Sequence, residues 1–145
     1  MLIPIVSDKV PLPLAVEFAR LVAAANLVYP VSLTVPVRCV ATKLAERGKH
    51  GFFWYGRRNC ELRVACPHRR ATRAAVIELG GFLSHELIHF GQWLRMPPSE
   101  RLRHDLDEPD EEDEREAAAM LERILEAYRC QTPTVGITTQ KKTRI

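Results

Sequence analysis

The hydrophobic positions change period along the chain, and each change marks an element. After Pro11-Leu12-Pro13, the residues Leu14, Phe18, Leu21, Val22 and Ala25 recur at spacings of three and four, predicting an amphipathic packing helix that Asn26 to Pro30 would close. From Val31 to Ala41 the residues are β-branched and partly alternating, which predicts one strand, firmest at 37 to 41; Pro36 assigns its middle to an edge or a bulge. Gly48 to Gly51 and Gly56 to Asn59 carry turn residues, and they bracket Phe52-Phe53-Trp54-Tyr55. Residues 60 to 66 alternate, with Leu62, Val64 and Cys66 on one face and Glu61, Arg63 and Ala65 on the other, so this region reads as a hairpin or meander with its aromatic run in the core.

From about Ala71 to Arg95 the period returns to that of a helix, with Ala75, Val76, Leu79, Phe82, Leu83, Leu87, Ile88 and Phe90 in one wide apolar band. Gly80-Gly81 interrupts this band, and each glycine costs about 0.8–1 kcal/mol relative to Ala in a helix interior. The pair marks a close approach by another backbone just beneath the histidines, or else close packing or a break in the helix. Met96-Pro97-Pro98-Ser99 ends the helix, and residues 97 to 110 read as a polar loop. Another helix follows from about Asp110 to Arg129, with acids at its positive end and Ala117, Met120, Leu121, Ile124, Leu125 and Tyr128 as its buried stripe. The expected architecture is α+β: an antiparallel sheet of about three strands packed on helices, with one domain over 1–131 and a flexible tail over 132–145. There is no internal repeat.

Charge adds an asymmetry. The chain of 145 residues has a formal charge of +3, yet nine of the twelve residues from Asp105 to Glu116 are acidic, which leaves twenty Lys and Arg against nine acids elsewhere. A basic body of this kind admits an anionic partner such as nucleic acid, although no basic motif interleaved with aromatics accompanies it, and a solvated surface is the simpler reading. No apolar run approaches the roughly 20 residues of a membrane span, and the first residues lack the pattern of a signal peptide, so a cytoplasmic protein is expected. Cys39, Cys60, Cys66 and Cys130 are scattered and read as reduced thiols; Cys60 and Cys66 with His68 make a poor second zinc site because the CxxC knuckle is missing.

The chemistry concentrates in Gly80-Gly81-Phe82-Leu83-Ser84-His85-Glu86-Leu87-Ile88-His89-Phe90-Gly91-Gln92-Trp93. His85 and His89 are four residues apart on a helix, so they project from one face one turn apart and can share a metal ion. Glu86 lies slightly off that face, where a carboxylate can take a proton from a water in the metal's open position. Two histidines do not complete a catalytic zinc site, which takes three protein ligands and a water.

With the later run Glu114-Arg115-Glu116-Ala117-Ala118, the chain resembles a zincin metallopeptidase of the gluzincin type, in which a second helix supplies a Glu ligand and a small residue packs on the first helix. The resemblance implies Glu114 as third ligand, Glu116 as fallback, Zn²⁺ as cofactor, and peptide-bond hydrolysis of a peptide or protein substrate, with Glu86 as the base. The chain is also similar to small phage and bacterial metallopeptidase-like proteins reading His-Glu-Leu-x-His-x-x-Gln, which Gln92 matches, and more loosely to SprT-like and ImmA/IrrE-type minimal domains. The likeness spans roughly residues 30 to 130, with matching motifs confined to 85–92 and 114–117. It departs at Ala118, where the family often has an Asp or Asn that orients a ligating histidine, and it supplies no fixed oxyanion stabiliser; His104, Tyr55 and Tyr128 are candidates. By fold analogy, a sheet strand beside the His helix would take an extended substrate by strand addition. The alternative is a zincin-fold binding or regulatory module that lacks turnover, with nucleic acid as a candidate partner. The acidic segment 105–113 would shield the site, bind Ca²⁺ or a basic partner, or simply be solvated.

Overall fold

The computed structural model describes residues 1–29, 37–43, 51–55, 60–95, 97, 111–131 and 138–140. The element order is β1 (Leu2–Ser7), α1 (Leu12–Val28), β2 (Val37–Thr42), β3 (Gly51–Tyr55), β4 (Cys60–Ala65), α2 (Arg73–Arg95), α3 (Glu111–Arg129) and β5 (Thr138–Gln140). The domain is α+β, with a five-stranded sheet in the order β3-β4-β2-β1-β5. Among the described residues no helix is long and apolar enough to cross a membrane.

The sheet is predominantly parallel, which corrects the expected antiparallel arrangement. β1 pairs in parallel with β2, with Leu2 opposite Val37 and Val6 opposite Ala41, and β2 pairs in parallel with β4. Among the described strands only β3 runs antiparallel, against β4. The physical reason lies at the N-terminus: Leu2-Ile3-Pro4-Ile5-Val6 is a strand, so the predicted first helix is a crossover between two strands, and a helical crossover returns the chain parallel. A near-continuous apolar run without alternation is what a parallel strand presents, and Pro4 precedes the point where β5 begins to pair at Ile5.

One face of the sheet carries Leu2, Val6, Val37, Cys39, Ala41, Leu62, Val64 and Cys66 into a single core with α1, α2 and α3. Asn26, in the last turn of α1, fixes this packing by accepting from the Leu2 N–H at 2.8 Å and donating to the Leu2 carbonyl at 2.9 Å. On the opposite face, Glu61 pairs with Arg38 at 3.3 Å and Arg63 at 2.9 Å. Burial pushes the Cys39 thiol up to about 12, and burial with the nearby Glu78 charge pushes Cys66 up to about 11, so both remain protonated core residues.

The three helices follow the predicted ones within two or three residues. The tail expected over 132–145 contributes a strand at Thr138–Gln140, parallel to β1; its remaining residues beyond 131 lie outside the described set. Also outside it are 31–36 of the predicted strand, both predicted turns apart from Gly51, the loop 98–110 with His104, and the aromatic side chains of Phe52 to Tyr55.

Candidate metal centre

α2 begins at a side-chain cap, the Thr72 hydroxyl accepting from the Ala75 N–H at 3.1 Å. Ala75, Leu79, Leu83, Leu87 and Phe90 then bury completely, which fixes the helix's rotation on the sheet. The glycine pair lies inside a continuous helix. A Cβ on Gly80 would meet Leu121 Cδ1 of α3 at 2.9 Å, so this glycine serves close packing by a neighbouring side chain, while at Gly81 the contact would be an ordinary 3.9 Å. Ser84 is buried and returns its hydroxyl to the Gly80 carbonyl at 2.7 Å, which satisfies it without leaving the helix.

With that rotation fixed, His85 and His89 come together. Their Nε2 atoms are 2.9 Å apart, and the rings meet edge to face with centroids 4.5 Å apart. Glu86 and His89 are each 4% exposed, while His85 is half-buried and opens toward solvent. Burial and, next, the neighbouring His89 hold the His85 imidazole below its usual range, opposed by the Asp113 and Glu114 carboxylates. A half-buried imidazole in this setting favours its neutral form, the form that ligates metal.

Further along α2, His89 Nδ1 lies 3.2 Å from Gln92 Oε1, and the Gln92 amide donates to Asp113 Oδ1 in the first turn of α3. Asp113 has no individual role in the sequence pattern, and Gln92 enters it only as a motif match. The available signal is a glutamine three residues beyond a histidine, with an acid at the start of the next helix.

The donor chemistry fits a zinc ion. Tetrahedral zinc, with Zn–N of about 2.0–2.1 Å, holds two ligand nitrogens about 3.3 Å apart, so the two Nε2 atoms, 2.9 Å apart, would have to separate by a few tenths of an ångström to share one ion. Among the described residues no three His, Cys, Asp or Glu side chains are gathered tightly enough to form a complete ligand set. Glu114 is exposed on the first turn of α3, within electrostatic reach of His85, and Ala117 packs into the core. Glu116 lines a separate cavity of about 280 Å³ with Tyr29, Arg95 and Arg123, so it stands apart from the histidines.

The other candidates resolve as follows. Tyr128 lies fourteen residues beyond Glu114 in the same helix, about 21 Å along its axis, and bonds to Glu17, so it has no part at this centre. His104 and the Tyr55 side chain lie outside the described residues. His68 pairs with Glu78 at 3.0 Å, and Cys66 is a core thiol, which supports the plain reading of that segment. Ala118 is exposed. No protein-family model matches the chain, and no curated protein or solved structure is significantly similar to it.

Proposed function

We propose that the chain is a zinc-dependent metallopeptidase, with His85, His89 and Glu114 as ligands and Glu86 as general base. The observation that carries this reading is the convergence of the two Nε2 atoms, 2.9 Å apart, beside a buried glutamate on the same helix. Zinc bound there would supply a Lewis acid for the scissile carbonyl and for a water. Glu86, buried on the same helix, would accept that water's proton and return it to the leaving amine. His85 and His89 remain neutral donors held by α2, and Glu114 brings the negative charge that a dication requires. β3 is an edge strand that packs beside α2, which supports an extended peptide as the substrate, added to that edge by backbone hydrogen bonds.

The test is metal analysis and peptidase assay of the full chain beside Glu86→Gln. The expected result is one zinc per chain in both and a loss of turnover of about 10²–10⁴-fold in the variant. Undiminished hydrolysis by Glu86→Gln would sink the mechanism. Zinc in both with hydrolysis in neither would favour the binding-module reading.

A further inference from the structure

The position that often orients a ligating histidine in gluzincins is Ala118 here, and an exposed methyl group orients nothing. His89 nevertheless has a polar partner on the side of the ring away from His85. Its Nδ1 faces Gln92 Oε1 at 3.2 Å, and the Gln92 amide nitrogen faces Asp113 Oδ1.

The sense of this chain follows from the groups themselves. An ionised carboxylate only accepts hydrogen bonds, so the Gln92 group turned toward Asp113 is its NH₂, which turns its carbonyl toward His89. A carbonyl also only accepts, so His89 carries its proton on Nδ1 and keeps a lone pair on Nε2. In the metal-free chain that lone pair accepts from His85 Nε2–H across the 2.9 Å gap. Only when His85 also carries its proton on Nδ1 do both Nε2 atoms present lone pairs to one point.

We infer that Gln92 is a positioning residue, anchored by Asp113 on the facing helix, which holds His89 in the Nδ1–H tautomer with Nε2 ready to ligate. The inference rests on the reading of His85 and His89 as metal ligands. It assigns to a glutamine one turn along α2, and to an acid one residue before Glu114, the orienting task that a carboxylate next to the small residue performs in gluzincins. Outer-shell partners of this kind typically alter metal affinity by about 10–100-fold.

The test has a readout that needs no metal. Two-bond ¹H–¹⁵N correlation spectra of the metal-free full chain identify the tautomer of each histidine, and zinc affinity is measured separately by competition with a chromophoric chelator. Wild type is expected to show His89 protonated at Nδ1, and Gln92→Leu to move it toward the Nε2–H form and weaken zinc by about 10–100-fold. The double variant Gln92→Glu with Asp113→Asn exchanges amide and carboxylate, which reverses the bond between the two helices but keeps an acceptor facing His89: the amide introduced on α3 donates to the carboxylate introduced on α2, and that carboxylate accepts from His89. It is expected to keep the Nδ1–H tautomer and near-wild-type affinity, and it decides the matter should Gln92→Leu fold poorly. Persistence of Nδ1–H in Gln92→Leu, or its loss in the double variant, overturns the inference. A chain that takes up no zinc defeats the metallopeptidase reading and leaves the tautomer result to decide this one.

Discussion

At its C-terminal end α3 is fastened to α1 by Tyr128, whose hydroxyl donates to Glu17 and whose ring lies 4.3 Å beneath the Arg20 guanidinium. At its N-terminal end it is fastened to α2 by Asp113, which accepts from Gln92, which in turn faces His89. Both clusters join neighbouring helices through half-buried polar groups, but they differ in how their charges are met. In the first, Arg20 pairs with Glu17 at 3.1 Å and also reaches the Tyr128 carbonyl at 3.3 Å, so cation and anion answer each other. In the second, the chain of hydrogen bonds ends on two imidazole nitrogens facing each other, with room for one shared proton between them. The first cluster sets charge against charge, whereas the second brings together two neutral nitrogens of the kind that can ligate a metal.

The widest separation between the two ends should appear in metal binding. His89→Ala removes one of the converging nitrogens, so zinc affinity should fall by more than the about 10–100-fold that loss of an outer-shell partner costs. Tyr128→Phe, at the other end of the same helix, should leave affinity unchanged. Chelator competition on the two variants measures both, and equal losses would mean that the ends are not distinct in kind.

Much of this arrangement follows from local sequence. The helices are legible because Leu14, Phe18, Leu21 and Val22, and later Ala117, Met120, Leu121 and Ile124, repeat at the helical period, and the facing histidines are legible because a separation of four fixes their relation within one helix. The sheet is less accessible. Leu2 to Ser7 pairs with Val37 to Thr42 only through tertiary contact across α1, and three residues at Thr138 to Gln140 are too few to carry a period. The Gln92–Asp113 bond depends on how α2 and α3 cross, which no spacing within either helix encodes. Side chains that face each other within one helix are therefore readable in the sequence, and their support from the next helix is not.

The Tyr128 end should matter for stability instead. Tyr128→Phe removes a hydrogen bond to a carboxylate at a half-buried site, and a loss of about 1 kcal/mol is expected at neutral pH. Burial, then the hydrogen bond to Glu17 and its charge, push the Tyr128 hydroxyl up to about 12 from its ordinary 10.0. Because the folded value is raised, the contribution is fully present below pH 10 and is lost as pH rises toward 12. Urea unfolding at about pH 7, 9 and 11 should show a steeper decline in wild type than in Tyr128→Phe, in which the buried thiols of Cys39 and Cys66 still lose stability as pH rises. A parallel decline in the two would place the alkaline-sensitive group elsewhere, with buried Cys39 the next to examine.

Between the two ends, α2 and α3 meet where Gly80 and Gly81 face Leu121, and here the expected effect is smallest and differs between adjacent residues. A Cβ on Gly81 would sit 3.9 Å from Leu121 Cδ2, an ordinary contact, so Gly81→Ala should gain most of the about 0.8–1 kcal/mol that alanine adds over glycine in a helix. At Gly80 the same Cβ would lie 2.9 Å from Leu121 Cδ1, with Leu21 and Leu125 also in contact range, so the leucine must shift and part of that gain is lost. Thermal melts should therefore rank Gly81→Ala above Gly80→Ala. Since His85 is only one turn beyond, zinc affinity in the two variants reports whether moving Leu121 disturbs the proposed metal site. Unchanged affinity in both would show that the helix pair tolerates repacking at its middle while its two polar ends stay fixed, whereas a loss confined to Gly80→Ala would make the glycine part of what aligns the histidines.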